Sequence, residues 1–301
     1  MKKYRRHGHK GSNRQTQLNV AQPKELMMFL IDKMPDKSRN NIKSLLTHRQ
    51  VLVDGQVVTQ YNHPLQEGQE VTINWALVRN EKPARGLRII YEDNDIIIID
   101  KPAGLLSIAS DKEKERTAYH QLTDYVRLQD PENRIFIVHR LDQDTSGVML
   151  FAKNEDIKRS LQDNWKEAVV DRAYIAVVEG QVEKRKGRIK SYLQETKTRL
   201  VYSSSSAKDG QEAVTYYKVL EAGAGYSLLE IRLETGRKNQ IRVHMKEIGH
   251  SVIGDKKYGA NTNPIGRLGL HAHILAFYHP VSGELMRFET EVPKKFSQLF
   301  K

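Results

Sequence analysis

Two short apolar runs joined by a polar loop constrain the fold of this chain more than any other feature. The runs Ile135–Val138 and Val148–Phe151 are rich in strand-forming residues, and the loop between them, residues 139–147, is dense in titratable and hydroxyl side chains. Buried strands fix the backbone, whereas a loop between them exposes its side chains to substrate. The pattern predicts that a carboxylate in this loop, such as Asp142, is held rigidly and open to substrate, although an aspartate in such a loop more often serves only a turn or a cap.

Strand patterns outnumber helical patterns from residue 87 to the end of the chain. Helical spacing is found at Thr117–Leu128, after the candidate N-cap Asn154, and at Gln240–Ile248. Strand patterns are found at Leu87–Tyr91, Ile96–Ile99, Tyr174–Val178, Leu200–Tyr202, Val214–Leu220 and Ser227–Leu233. Residues 87–301 are therefore predicted to form an α+β domain with a mixed, mostly antiparallel central sheet and flanking helices.

The region before residue 77 has the pattern of a small, separate α+β domain at residues 21–76. Two amphipathic helices are predicted at Glu25–Met34 and Arg39–Thr47, the second with Ser38 as its N-cap. A hairpin at Val51–Val58 turns at Asp54-Gly55, and Val71–Trp75 is a further strand. Residues 77–86, which are mostly polar, are predicted to be a linker.

The charge of the chain is concentrated at its start. The net charge is +12, and residues 1–20 contain no acid but hold Lys2, Lys3, Arg5, Arg6, Lys10 and Arg14. This composition predicts a flexible basic tail that binds a phosphate backbone, with a merely solubilising tail as the alternative. The chain has no cysteine, which excludes thiolate chemistry and fits a cytoplasmic protein. Its longest apolar run, Leu26–Ile31, is too short to cross a membrane.

The loop sequence His139-Arg-Leu-Asp142, followed by Thr145-Ser-Gly147, resembles the signature of the RluA-type pseudouridine synthases, which modify ribosomal and transfer RNA. Order and spacing of further motifs agree with that family: residues 91–104, Arg172-Ala-Tyr174, the run from Thr235 to His244 with Gly254-Asp255, and residues 270–280. The N-terminal helices and hairpin resemble the αL-type, S-four-like RNA-binding motif. One departure is Lys238-Asn239, which stands where Thr-His is usual.

The resemblance implies a pseudouridine-synthase fold and the isomerisation of uridine without a cofactor or a metal. It implies that Asp142 is the catalytic carboxylate and that Arg242 lies against it, although a phosphate contact is the alternative for Arg242. Tyr174 is expected to stack on the extruded base and to take the migrating proton. Ile241 is expected to form an apolar contact with the base. Attack by the carboxylate on the base or on the sugar, and removal of a ribose proton, all stay open.

A uridine within an RNA stack has to be flipped out, so neighbouring contacts are needed. His139 and Arg140 are candidates to replace the flipped base or to grip its phosphate, with a hydrogen-bonded structural role as the alternative for His139. The candidates for backbone contact are Arg237 and Lys238 in the large domain and Arg39, Lys43 and Arg49 in the small one.

The expected partner is RNA, and large-subunit ribosomal RNA is preferred to transfer RNA because the basic tail and the accessory domain imply a large phosphate footprint. Neither a membrane nor an obligatory protein partner is expected. Two rival hypotheses remain. In the first, Asp142 and Asp144 form a magnesium pair for phosphoryl transfer. In the second, the chain binds RNA without catalysis.

Overall fold

Residues 15–35, 37, 39–47, 50–74, 87–111, 113–208 and 210–300 are described by the structure, a computed structural model. Within these ranges the chain divides into two units: one contains the residues up to 74 together with 124–133, and the other contains residues 87–123 and 134–300. No helix in this part of the chain is long and apolar enough to span a bilayer. The predicted linker, residues 77–86, as well as Ser38 and Arg49, lie outside the described residues.

The first unit combines two helices with a small sheet. Its elements are β1 Gln15–Asn19, β2 Lys24–Glu25, α1 Leu26–Lys33, α2 Arg39–Thr47, β3 Val51–Val53, β4 Gln56–Val57, β5 Pro64–Leu65 and β6 Glu70–Asn74. The main sheet has the order β1-β6-β3-β4, and β2 pairs with β5. Its core buries Leu26, Leu30, Ile42, Val71 and Ile73 completely. The amphipathic spacing of the helices therefore points their apolar faces into one common core.

Local signals in this unit predicted its elements well. The bounds of α2 agree with the prediction, and the hairpin turns at Asp54 and Gly55, which have φ values of +48° and +80°. The tail, however, was predicted to extend through residue 20, which is wrong for its last part. Gln15–Asn19 pair with β6 in antiparallel register, Leu18 packs against the core, and Val20 is buried. Pairing with β6, together with burial of Leu18 and Val20, fixes this strand despite its polar neighbours.

The second unit is built on one large sheet. Its strands are β7 Arg88–Glu92, β8 Ile96–Lys101, β9 Phe136–Ile137, β10 Ser146–Ala152, β11 Val169–Glu179, β12 Lys186–Glu195, β13 Val201–Ser204, β14 Gln211–Gly223, β15 Tyr226–Leu233, β16 Leu270–Tyr278 and β17 Leu285–Glu289. Its helices are α4 Glu155–Asp163, α5 Trp165–Ala168, α6 Gln240–Glu247 and α7 Lys294–Ser297, with short 3-10 turns at Lys256–Tyr258 and Gln298–Phe300. Helix α3, Ala118–Gln129, contributes residues to both units.

The order of this sheet is β13-β12-β14-β15-β11-β16-β10-β8-β7, with β17 on β16 and β9 on β10. Among the described strands only β10 and β16 run parallel. The predicted class, α+β with a mixed and mostly antiparallel sheet, is therefore confirmed. Every residue of β10 is buried because apolar clusters cover this part of the sheet.

Some elements differ from the prediction in a way that has a physical reason. The strand expected at Ile135–Val138 is only the two residues of β9, because pairing with β10 is limited to Phe136 and Ile137. Strands β12 and β17 were not predicted, since their outward positions carry charged residues that dilute the apolar alternation. Asn154 is the expected cap of α4, and its Oδ1 accepts from the Ile157 amide at 2.8 Å.

Candidate active site

The loop of residues 139–145, which precedes β10, is held by the segment that follows β8. The Gly104 amide donates to the carbonyl of Gln143 at 2.9 Å. Ser107 Oγ donates to the carbonyl of Leu141 at 2.7 Å and accepts from the Leu141 amide at 3.2 Å. The two bonds between Leu141 and Ser107 are buried, and together with the bond to Gln143 they give the loop backbone on either side of Asp142 one defined course.

Lys101, at the end of β8, contributes to the same support although its side chain is fully buried. Its ammonium donates to the carbonyls of Pro102, Leu105 and Gln143 at 3.0, 2.7 and 3.0 Å. Burial lowers the pKa of Lys101 to about 8, and the charge of Asp144 opposes this effect. An ammonium has three N–H donors, so all of them are used, and the lysine joins the segment after β8 to the loop.

The loop ends where β10 meets β16 in the parallel pair. Gly147 has a φ of +114°, and a Cβ built there would lie 2.0 Å from the carbonyl oxygen of Ala272, so no side chain fits. Beside it, Ser146 Oγ lies 2.8 Å from Nδ1 of His271 and accepts from Nη2 of Arg267 at 2.8 Å. The C-terminal end of the loop, where it enters β10, therefore also has a fixed position.

Asp142 lies in this loop with its side chain 27% exposed. Its Oδ2 accepts from Nδ2 of Asn239 at 2.7 Å and from Nη1 of Arg242 at 3.1 Å. Within the described part of the chain, Oδ1 has no hydrogen-bond partner. The ion pair expected between Asp142 and Arg242 is present, and it leaves one carboxylate oxygen available to a substrate.

Arg242 is held mainly by a second carboxylate. Its Nε and Nη2 donate to the two oxygens of the buried Asp255 at 2.6 and 2.7 Å, and its guanidinium lies 4.9 Å from the ring centroid of Tyr258. Burial acts to lower the pKa of Arg242, but its hydrogen bonds to Asp255, followed by those to Asp142, raise it overall. The guanidinium is a permanent and well-placed cation.

Asn239 precedes α6 in a left-handed conformation, with a φ of +55°. Asparagine tolerates this conformation better than most residues. Its amide nitrogen has to face Asp142, because the amide oxygen in that place would meet a carboxylate oxygen. The remaining atom, Oδ1, is buried and has no hydrogen-bond partner among the described residues. The position at which the chain departs from the family signature therefore contacts the candidate carboxylate directly.

A small cavity of about 70 Å³ lies beside these groups, lined among others by Asp142, Tyr174, Ile241 and Arg242. Strand β11 shifts its register against β16 between Ala173 and Tyr174, and such a bulge changes the direction of the neighbouring side chain. Burial raises the pKa of Tyr174, and the charge of Arg172 opposes the rise. The structure thus brings together the three predicted catalytic residues and the apolar Ile241.

The four predicted RNA contacts near this cavity have different surroundings. Nε2 of His139 accepts from the Leu150 amide at 3.0 Å, and burial, followed by the charge of Arg172, lowers the pKa of His139 to about 3. A neutral imidazole cannot attract a phosphate by charge, which favours the structural alternative for that ring nitrogen.

The arginines and the lysine in this set lie closer to solvent. Arg140 is exposed and borders the cavity, whereas Nε of Arg237 donates to the carbonyl of Glu212 at 3.0 Å. Lys238 is exposed and forms an ion pair with Glu195. In the first unit Arg39 and Lys43 are exposed on α2, and Arg49 lies outside the described residues. Contact with RNA stays a prediction for all of them.

A metal site was not expected, and one cluster has the composition of such a site. Asp93, Asp95 and His279 are the one group in the described ranges whose ligand atoms lie within 4.8 Å of one another. Nδ1 of His279 accepts from two backbone amides at 3.3 and 3.1 Å, so the ring proton has to be on Nε2, which faces Asp93 at 3.1 Å. This tautomer leaves no free nitrogen lone pair for a metal ion.

Three supporting residues were missed as site residues: Lys101, Asn239 and Asp255. Asp255 had a signal, since Gly254-Asp255 belongs to the motifs that resemble the family. Asn239 was noted only as a departure from that pattern. Lys101 stands in residues 91–104, which were noted only as a motif that resembles the family, and nothing local indicates that its ammonium is buried.

Several known proteins are similar to this chain. A family model described as RNA pseudouridylate synthase matches residues 95–247, and a model of the S4 domain matches residues 26–71. The ribosomal large subunit pseudouridine synthase D of Escherichia coli is 33% identical over 287 residues, which cover 90% of this chain and 87% of that protein. A Bacillus subtilis protein named uncharacterized RNA pseudouridine synthase YlyB is 35% identical over 280 residues, which cover 90% of this chain and 91% of that protein.

The fold has a counterpart among solved structures. The human RNA pseudouridylate synthase domain containing 1 has a TM-score of 0.58 and 27% identity, and the match covers 72% of this chain and 89% of that chain. The pseudouridine-synthase fold and the small N-terminal RNA-binding domain are thereby confirmed.

Proposed function

This chain belongs to the RNA pseudouridylate synthase family, and from that premise we propose that it converts a uridine of large-subunit ribosomal RNA to pseudouridine with Asp142 as the catalytic carboxylate. The observation that carries the proposal is the carboxylate itself. Asp142 borders a cavity with Tyr174, is held through Oδ2 by Asn239 and Arg242, and keeps Oδ1 open to a substrate.

The reaction needs few groups. The bond between C1′ and N1 of uridine breaks, the base turns, and a bond forms between C1′ and C5. The proton leaves C5 and N1 gains one, so atoms and electrons balance without a redox partner. A carboxylate oxygen beside the sugar serves each of the three routes, namely attack on C1′, attack on the base, and removal of a ribose proton.

Tyr174 and Arg242 are assigned separate tasks in this proposal. The ring of Tyr174 covers the extruded uracil, and its hydroxyl carries the migrating proton. Because its raised pKa keeps that hydroxyl protonated at neutral pH, Tyr174 has to release one proton while it receives the other. Arg242 keeps a positive charge beside Asp142 throughout, since Asp255 binds it independently of the substrate.

The uridine reaches this cavity by leaving the RNA stack, which costs a few kcal/mol. Arg140 is exposed at the rim of the cavity and is the candidate to replace the flipped base. Ribosomal RNA is preferred as the substrate because the Escherichia coli relative is named for the large ribosomal subunit. This substrate agrees with the cytoplasmic localisation predicted for the chain. A transfer RNA substrate is the alternative.

The proposal is tested by mapping pseudouridine in total RNA from cells with and without the gene. Deletion should remove pseudouridine at one or a few positions of large-subunit ribosomal RNA, and wild-type protein should restore it. Asp142→Asn should fail to restore it. Asp144→Asn is the matched control, because Asp144 lies two residues away in the same loop, is exposed, and does not border the small cavity.

Each outcome of this experiment has one meaning. Loss of pseudouridine from transfer RNA alone would reassign the substrate and keep the enzyme. Restoration by Asp142→Asn would remove the carboxylate from the mechanism. Equal failure of Asp142→Asn and Asp144→Asn, both folded, would support the magnesium-pair hypothesis. An unchanged modification map after deletion would favour RNA binding without catalysis.

A further inference from the structure

A second and larger cavity adjoins the small one and is not used by the proposed reaction. Its volume is about 520 Å³, and it shares Arg140, Tyr174 and Arg237 with the small cavity. Asp142 is not among its lining residues. The larger cavity therefore extends away from the carboxylate.

One wall of the larger cavity is aromatic. Trp165 begins α5, and its ring centroid lies 5.1 Å from that of His139 at an interplanar angle of 40°. The guanidinium carbon of Arg172 lies 5.9 Å from the Trp165 centroid. Trp165 is partly buried against the core around β10, so the ring has a fixed position. Fixed aromatic rings offer a surface on which an unstacked base of any identity can stack.

His139 adds a directed hydrogen-bond donor to this wall. Its Nε2 accepts the Leu150 amide proton, so that nitrogen carries no hydrogen. The ring is neutral because burial lowers its pKa to about 3. The one ring proton is therefore on Nδ1, which has no hydrogen-bond partner in the described part of the chain. A base carries acceptor atoms on its edge, and these match such a donor.

Cations outnumber acids around the same space, which is lined by Arg140, Lys166, Arg172 and Arg237 together with Asp163 and Glu234. The guanidinium of Arg172 donates to the carbonyls of Leu233 and Glu234, both at 3.3 Å, and packs so close to Gly236 that a Cβ there would lie 2.7 Å from it. Among the described residues it has no carboxylate within ion-pair distance. Lys166 is exposed at the rim of the cavity. A partly buried guanidinium without a carboxylate partner is suited to an anion such as an RNA phosphate.

We infer that this cavity receives a second nucleotide of the RNA, one that neighbours the target uridine and leaves the stack together with it. Its base stacks on Trp165 and accepts from Nδ1 of His139, while its phosphate meets Arg172 and Lys166. This inference rests on the proposed function and names a feature of its substrate. Stacking in the cavity offsets part of the cost of opening the RNA.

The test uses a synthetic RNA that contains the mapped uridine and an abasic site in place of one neighbouring nucleotide at a time, three on each side. Wild-type protein, Trp165→Leu and the control Tyr278→Leu are compared by kcat/KM. Tyr278 is an exposed aromatic residue of β16 that lines neither cavity. Leucine keeps apolar volume at position 165 and removes the aromatic face.

At one neighbouring position, an abasic site should lower kcat/KM much more than at the others. An abasic site there should lower kcat/KM about tenfold to a hundredfold for wild-type protein and for Tyr278→Leu, but less than twofold for Trp165→Leu. A flat profile for wild-type protein, or the same dependence in Trp165→Leu, would overturn the inference. A flat wild-type series overturns the inference even if Trp165→Leu does not fold. Failure of the proposed function is recognised separately, because no pseudouridine would then form in the unmodified RNA.

Discussion

Arg242 and Lys101 of the second unit differ from Arg39 and Lys43 of the first unit in how far they are exposed to solvent. Arg242 is only 13% exposed and bonds to two carboxylates, and Lys101 is fully buried with three carbonyls around its ammonium. Arg39 and Lys43, by contrast, are exposed on α2. A buried cation has a fixed position, whereas an exposed cation is open to the phosphates of RNA. The first kind should therefore control turnover, and the second kind affinity.

Arg242 should give the largest effect and the clearest test of this difference. Arg242→Met leaves Asp255 buried without its partner, which should cost about 3–5 kcal/mol of unfolding free energy. It should also lower kcat on the order of 10³-fold, with little change in RNA affinity. Chemical denaturation, single-turnover kinetics and RNA binding measure the three quantities.

The control for this prediction is Arg242→Met combined with Asp255→Asn, which removes the stranded charge. Stability should be partly recovered in the double variant, and turnover should stay low. If turnover returned with stability, Arg242 would act only through the fold. Equal losses of turnover and binding in either variant would make it a phosphate contact.

Lys101 should make stability depend on pH. Its folded pKa of about 8 lies below the unfolded value of 10.5, so the unfolded chain binds the extra proton between these values. The stability of wild-type protein relative to Lys101→Met should therefore be lowest below pH 8 and rise by about 3 kcal/mol towards pH 10.5. Unfolding free energies of both proteins, measured from pH 6 to 10.5, test this. A constant difference would mean that the lysine is not held as a buried ammonium.

The hydroxyl of Tyr174, a partly buried residue, should contribute to turnover in addition to its ring. Tyr174→Phe keeps the stacking surface and removes the proton carrier, so kcat should fall about 10²-fold while KM changes little. Tyr174→Leu, which also loses the ring, should raise KM in addition. Normal turnover in Tyr174→Phe would restrict the role of this residue to stacking.

Substitutions of Asn239 test whether its hydrogen bond to Asp142 contributes to turnover. Asn239→Asp places a carboxylate 2.7 Å from Oδ2 of Asp142, and two carboxylates at that distance cannot both be ionised. We expect a loss of kcat of about tenfold at neutral pH, since one of the two must take up a proton. Asn239→His introduces the residue usual in the family and should retain activity within about threefold. Unchanged kcat in Asn239→Asp would separate this amide from catalysis.

The smallest effects should come from α2. Arg39→Ala and Lys43→Ala should each weaken RNA binding a few-fold and lower the slope of log affinity against log salt by about 0.7. The maximal rate at saturating RNA should not change. Titrations at several salt concentrations provide the slope. A loss of kcat in either variant would contradict the division between the two kinds of cation.

Local patterns in the sequence sufficed for elements whose determinants are neighbours in the chain. The turn at Asp54-Gly55, the cap at Asn154 and the bounds of α2 depend on residues within a few positions of one another, and all were predicted. Strand β1 was missed because its partner β6 lies more than fifty residues away. Pairing with that partner outweighs the polar composition of the segment.

In the active site, contacts between residues far apart in the chain were again not predicted from local patterns. Asp142, Tyr174 and Arg242 could be named because they stand in motifs that resemble a family. The bonds of Asp142 to Asn239 and Arg242, however, connect residues 97 and 100 positions apart. No spacing rule along the chain reports such contacts, and the same holds for the bond from Lys101 to the carbonyl of Gln143, 42 positions away. The hydrogen-bond partners of a buried charged group can be identified only from the folded structure.

The uneven attachment of Arg242 has a consequence for the catalytic cycle. Two of its three carboxylate contacts go to Asp255 and only one goes to Asp142. Because Asp255 holds Arg242 through two hydrogen bonds, the position of the guanidinium does not depend on its single bond to Asp142. We expect the cation to keep this position in the proposed reaction, whichever contact Oδ1 of Asp142 makes with the nucleotide.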